Sequence, residues 1–125
     1  MDVADQARDD AAAIDVAVIR ESFLRVIRHN TEVPGLVELF SRLAVEAANP
    51  EHPAHDYFLE RGAAVRDGFA LTAPTGPMPP DVYARILQAV ADGLQLQWLV
   101  DPTVDMAGIV DQLLATLQQK PASAS

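Results

Sequence analysis

The prolines constrain this chain more than any other feature. Nine of them stand at positions 34, 50, 53, 74, 77, 79, 80, 102 and 121. Proline has no backbone donor and its ring clashes with the preceding turn, so it opens helices and is kept out of their interiors. The stretches between prolines are therefore the units free to form regular structure. In the first, Val16, Ile19, Phe23, Val26 and Ile27 fall on one helical face, with Asp15, Arg20, Glu21, Arg25 and Arg28 on the other. The second carries Leu36, Leu39, Phe40, Leu43, Ala44 and Ala47, and the third Phe58, Gly62, Val65 and Phe69, with Tyr57 beside them. The fourth carries Tyr83, Ile86, Leu87, Val90, Leu94 and Trp98, then widens to take in Leu96, Leu99 and Val100. The fifth carries Met106, Ile109, Val110, Leu113, Leu114 and Leu117. All five follow a 3.6-residue repeat and none keeps a strand's alternation.

The pattern predicts an all-α chain of five helices, over 13–30, 34–48, 53–72, 80–99 and 103–119. Asp101-Pro102 reads as an N-cap followed by proline at the first helical position, with Asp105 in the first turn. Pro79-Pro80-Asp81 opens the fourth helix in the same way. Residues 73–80, APTGPMPP, read as a loop. Residues 1–12 form an acidic segment that either extends the first helix or frays, residues 13–119 one helical domain, and residues 120–125 a small, polar, flexible tail.

Charge and composition exclude whole classes of function. The 125 residues hold 18 acids and 9 bases, a formal charge of −9, and Lys120 is the single lysine. Grasping a phosphate backbone takes a cluster of Lys and Arg, so nucleic-acid binding by this chain itself is not expected. The absence of cysteine excludes disulfides, thiolate metal sites and a cysteine nucleophile. No apolar run is long enough to span a bilayer, and the acidic start MDVADQARDD is unlike a secretory signal. A cytoplasmic protein with no membrane contact is the expectation.

The fourth helix, through GLQLQWLV, is apolar around most of its circumference. Such a helix is normally enclosed on every side, and five helices offer few neighbours to enclose it. A second copy is one source of the missing cover, the last two helices of each subunit forming a four-helix bundle across a two-fold axis. Ala89, Gly93 and Gly108 would let helix axes approach closely. The interface expected on this basis comprises Ile86, Leu87, Val90, Gly93, Leu94 and Gln97 of the fourth helix, with Ile109, Val110, Leu113 and Leu117 of the fifth. The same residues also read as an ordinary monomer core.

The run AVADGLQLQWLVDP, Ala89 to Pro102, followed by Thr-Val-Asp-Met, resembles the penultimate helix and following turn of TetR-family transcriptional regulators. The run from His29 to Gly68 is similar to that family's C-terminal domain in its Pro-Gly helix start, its Glu-Ala before a proline turn and its His-Pro-Ala-His opening of the next helix. The resemblance covers about residues 14–117. It implies a helical bundle that dimerises through its last two helices and encloses a small-molecule pocket among the earlier ones. The family's N-terminal helix-turn-helix head is missing from this resemblance, since Asp2, Asp5, Asp9, Asp10 and Asp15 stand against Arg8 where basic residues would meet phosphate. DNA binding is therefore expected only through a head outside these residues. An alternative is a headless partner that forms heterodimers with a full-length regulator.

On this resemblance the effector pocket would be lined by Phe23, Ile27, Phe40, Leu43, Tyr57, Phe58 and Phe69, with Arg61 or His55 orienting a polar end of a small, largely apolar effector. Each of these also reads as plain core at helical spacing, and Trp98 is placed in packing rather than in pocket or interface. His52 and His55, three apart with Glu46, Glu51 and Asp56 nearby, have metal-ligand types, but His52-Pro53 reads more simply as a helix-opening turn. No metal and no cofactor is expected. The acidic start reads as a solvated face. His29 at the end of the first helix suits the helix dipole without further role. No nucleophile elbow or glycine-rich phosphate loop is present, so no catalytic residue and no enzymatic activity is expected.

Overall fold

The computed structural model describes residues 3–119, and within them the side chains of all but residues 8–15. Its regular structure is entirely helical: α1 is Val3–Glu32, α2 Leu36–Glu46, α3 His55–Ala70, α4 Pro80–Val100 and α5 Met106–Gln118. No helix among the described residues is long and apolar enough to cross a membrane. The expected tail, 120–125, lies outside the described residues, as do Met1 and Asp2 and the side chains of Asp9, Asp10 and Asp15.

The first helix starts ten residues earlier than its apolar face indicates. Residues 3–12 contain no proline or glycine and include Ala4, Ala7, Ala11 and Ala12, so intrinsic propensity carries the helix beyond its packed part. Three helices, α2, α3 and α5, are shorter than expected. Gly35 caps α2 in the left-handed region, at φ 77°, a conformation only glycine adopts without strain. Thr72 falls outside α3 into a buried turn.

The start of α5 is a correction. Asp101 does not cap it. The Asp101 carboxylate instead accepts from the Thr103 N–H at 3.1 Å and the Thr103 hydroxyl at 2.6 Å, closing an Asx turn ahead of the helix. Those bonds hold its pKa below the usual aspartate value. The cap is Asp105, whose Oδ1 accepts from the Gly108 N–H at 3.0 Å.

Helix α4 lies at the centre, packing against α3, α5 and α2, while α1 packs along α5 and α2. The core joins Leu24 of α1 and Phe69 of α3 to Tyr83, Ala84, Leu87 and Leu94 of α4 and Met106, Ala107, Val110 and Leu114 of α5. Phe23 stacks on Phe69 at 4.3 Å between ring centroids and 9° between planes. Trp98 packs against this core, toward Ile27 and the turn before α5. Thr72 is the buried polar residue that joins three elements. Its hydroxyl donates to the Phe69 carbonyl at 2.7 Å and so accepts from the Tyr83 hydroxyl at 3.1 Å, and the Gln118 amide donates to its carbonyl. At the other end Arg20 Nε donates to Asp111 Oδ1 at 2.8 Å, tying α1 to α5.

Several residues expected at a subunit interface are enclosed within the chain itself. Leu87, Leu94 and Val110 are buried in the core, and Val90, Leu113 and Leu117 pack against it. The apolar circumference of α4 is wide enough to supply an inner face and an outer one, and these residues belong to the inner one or to α5's contact with it.

Candidate functional site

Around α4 three sectors follow one another. Tyr83, Leu87 and Leu94 face the core. Val82, Ile86, Ala89, Gly93, Leu96 and Val100 form a sector that the described residues leave largely uncovered. Between them, Gln88, Asp92 and Gln95, with Leu96 at the border, face a cleft against α2 and α3.

The cleft has a free volume of about 350 Å³. Its α2 wall is built at helical steps from Leu36, Val37, Phe40, Ser41 and Ala44, and its α3 wall from Phe58, Arg61, Gly62 and Arg66, with Asn30 of α1 at one end. Phe40 and Phe58 meet edge to face at 6.2 Å and 74°, a favoured aromatic geometry that puts one ring face and one ring edge on the apolar side of the cleft. A shallower groove continues the cleft along α2 and α4 past Val45, Leu96 and Leu99.

The polar end is held by side-chain contacts between α3 and α4. Arg66 Nη1 donates to Gln88 Oε1 at 2.8 Å, and Gln88 Nε2 donates to the Gly62 carbonyl at 3.4 Å. Arg61 lies over the Phe40 ring, 4.8 Å from its centroid. Among the described residues this leaves most guanidinium donors of both arginines without an acceptor. Asp92 stands at the rim. Partial loss of water there raises its carboxyl above the usual aspartate value, while the charge of Arg61 pulls the other way. Glycine at 62 is what lets the two α3–α4 partners meet: a Cβ there would come within 3.1 Å of Arg66 Nη1 and 3.4 Å of Gln88 Nε2.

Of the residues expected to line a pocket, the structure brings Phe40, Phe58 and Arg61 together here. Phe23 and Phe69 are stacked in the core and do not reach the cleft. Ile27 lies in a separate small recess against Val37 and Leu94. Leu43 is half-buried on α2 outside the lining, and Tyr57 is exposed, its ring set edge-on to Phe58 at 5.3 Å. His55 is engaged elsewhere: its Nδ1 donates to the Ala47 carbonyl at 2.7 Å, fastening the end of α2 to the start of α3. His52 Nδ1 accepts from the Ala54 N–H at 3.0 Å. Among the described residues no group of three or more His, Asp or Glu is placed to hold a metal ion.

Comparison with family models, with curated proteins and with solved structures finds no match to this chain. The functional reading therefore rests on the cleft and on the uncovered sector of α4. Arg66, Gln88, Asp92 and Gln95 line the cleft although periodicity passes over them. The visible signal was Gly62, a small residue within an apolar face with Arg66 one turn beyond. Chemically the arrangement sets an apolar wall of Leu36, Phe40, Ala44 and Phe58 beside two guanidiniums, with the Ser41 hydroxyl also in the lining.

Proposed function

We propose that this chain is a ligand-binding and dimerisation domain of a TetR-type transcriptional regulator, holding a small, largely apolar effector in the α2–α3–α4 cleft. Any DNA contact would be made by a helix-turn-helix head beyond these residues. The observation that carries the reading is the uncovered sector of α4. Val82, Ile86, Ala89, Gly93, Leu96 and Val100 recur at alternating steps of four and three, so they form one straight stripe. Leu96 is 58% and Val100 88% exposed. An aligned apolar stripe of this length is a surface that proteins ordinarily cover. Ala89 and Gly93 stand at its middle, where small side chains let two helices approach closely. Ile109 of α5 is exposed as well, which supports the last two helices as the contact elements.

In this reading α4 carries the coupling. One sector holds the effector, the next the second subunit, so a ligand that prefers one setting of α4 shifts the arrangement of the pair. Sedimentation of the full chain at micromolar concentration tests the assembly. The wild type is expected as a dimer and Gly93→Glu as a folded monomer, because a Cβ at 93 meets nothing within 4 Å in the single chain. A wild type that sediments as one copy overturns the proposal. A wild-type dimer that Gly93→Glu leaves intact removes the α4 stripe from it.

A further inference from the structure

Resting on the reading of the cleft as an effector site, we propose that its ligand is an organic carboxylate: a flat apolar body lying on Phe40 and Phe58, with one anionic head between Arg61 and Arg66.

The charges of the lining point this way. The whole chain carries −9, yet the cleft contains two arginines against one acid, Asp92. A locally positive cleft on a strongly acidic chain draws anions in spite of the overall field, not because of it. The two guanidiniums are also held from opposite sides. Arg66 is fastened toward α4 through Gln88, and Arg61 is laid against α2 over Phe40. A planar guanidinium presents a fork of donors that matches a carboxylate, and fixing the fork in advance reduces the ordering that binding requires. Neither contact exhausts its arginine: Gln88 takes one Nη of Arg66, and the N–H groups of Arg61 have no protein acceptor among the described residues.

Gly62 belongs to the same arrangement: it is the residue over which Arg66 and Gln88 meet, and a Cβ there would crowd Arg66 Nη1 at 3.1 Å and touch Gln88 Nε2 at 3.4 Å. The apolar end sets the body. Phe40 and Phe58 offer one ring face and one ring edge, and Leu36 and Ala44 continue the wall. A volume of about 350 Å³ lies at the small end of ligand pockets, which fits one aromatic ring with a short arm. A cationic ligand is the poorer fit, since an amine paired with Asp92 would lie beside two guanidiniums.

Calorimetric titration of the full chain with 3-phenylpropionate, its amide and 3-phenylpropylamine tests the head group on one constant body. The acid is expected to bind at least tenfold more tightly than either of the others. Arg66→Gln and, separately, Arg61→Gln are expected to remove that advantage, so that acid and amide bind alike, and a helical circular-dichroism spectrum with a cooperative melt shows that each variant is folded. Equal binding of acid and amide, or preference for the amine, overturns the anionic head and leaves the cleft standing as an apolar effector site. Failure of all three probes to bind at millimolar concentration overturns both the head group and the effector reading, whatever the sedimentation result.

Discussion

Gly62 and Gly68 lie six residues apart on α3 and should respond to alanine in opposite ways. At 68 a Cβ would meet Phe23 Cζ at 2.9 Å, and the Phe23 ring is confined by its stack on Phe69. Helix propensity favours alanine by about 1 kcal/mol, but overpacking a core costs about 1–3 kcal/mol. Gly68→Ala is therefore expected to lower the melting temperature, and an unchanged or higher value would show that the stack can slide. At 62 the crowded atoms are the ends of two flexible side chains, which can move at little cost. Gly62→Ala is expected to melt no lower than wild type while losing affinity for 3-phenylpropionate. Asp92 adds a pH signature. Its folded-state pKa is raised by desolvation, against the pull of Arg61, so the folded chain binds its proton more readily than the unfolded one. Ionised Asp92 thus lowers stability above that range, and the loss is recovered as the pH falls through it. Arg61 and Arg66 are the other charged groups lining the cleft. Melting curves of wild type and Asp92→Asn should show the variant more stable near neutral pH, with the gap closing as the medium becomes acidic. A gap that widens on acidification contradicts the assignment.

The elements show what a linear pattern can and cannot disclose. Five helices were legible because each stretch between prolines carries its own apolar face, and burying that face is what stabilises a helix in a small chain. The beginning of α5 was not, because Asp101-Pro102 and Asp105 are both plausible openings. The choice is made by two local details, the Thr103 hydroxyl that takes Asp101 into a turn and the bare Cα of Gly108 that leaves room for the Asp105 carboxylate. Of the cleft, Phe40 and Phe58 were legible as aromatic residues on apolar helix faces, and Arg61 came only with the family resemblance. Arg66, Gln88 and Asp92 were not, because their place depends on how α3 and α4 are set against each other. Thr72 is the clearest case. In sequence it is an unremarked residue before a proline loop, and in the fold it is buried and bonded to α3, α4 and α5. Thr72→Val keeps the shape and removes the hydroxyl, leaving the Tyr83 hydroxyl without that partner, a loss of about 1–3 kcal/mol. Thermal unfolding should show a drop in Tm of several degrees, and adding Tyr83→Phe should recover part of it. Additive losses in the double variant would mean that the two hydroxyls do not act together.

For the whole molecule the question is how a chain this small would divide one central helix between its core and, in the proposed reading, a ligand and a second copy. The core sector of α4 is already occupied by Leu24, Phe69 and the inner face of α5. Leu96 stands on the boundary, lining the cleft and its outer groove while belonging to the exposed stripe. In the proposed assembly it touches ligand on one side and the second subunit on the other. Binding at the two surfaces then shares a residue, and by linkage each must alter the other by the same factor. Leu96→Ala is expected to weaken both 3-phenylpropionate binding and self-association, each by roughly fivefold for about 1 kcal/mol of lost apolar contact. Val100→Ser, on the stripe but outside the cleft, should weaken association alone, and Phe58→Ala, in the cleft but off α4, should weaken the ligand alone. Calorimetry and sedimentation on the three variants separate these outcomes. If Leu96→Ala moves only one of the two equilibria, the sectors are independent, and an effector in the cleft has no route through this residue to the subunit arrangement.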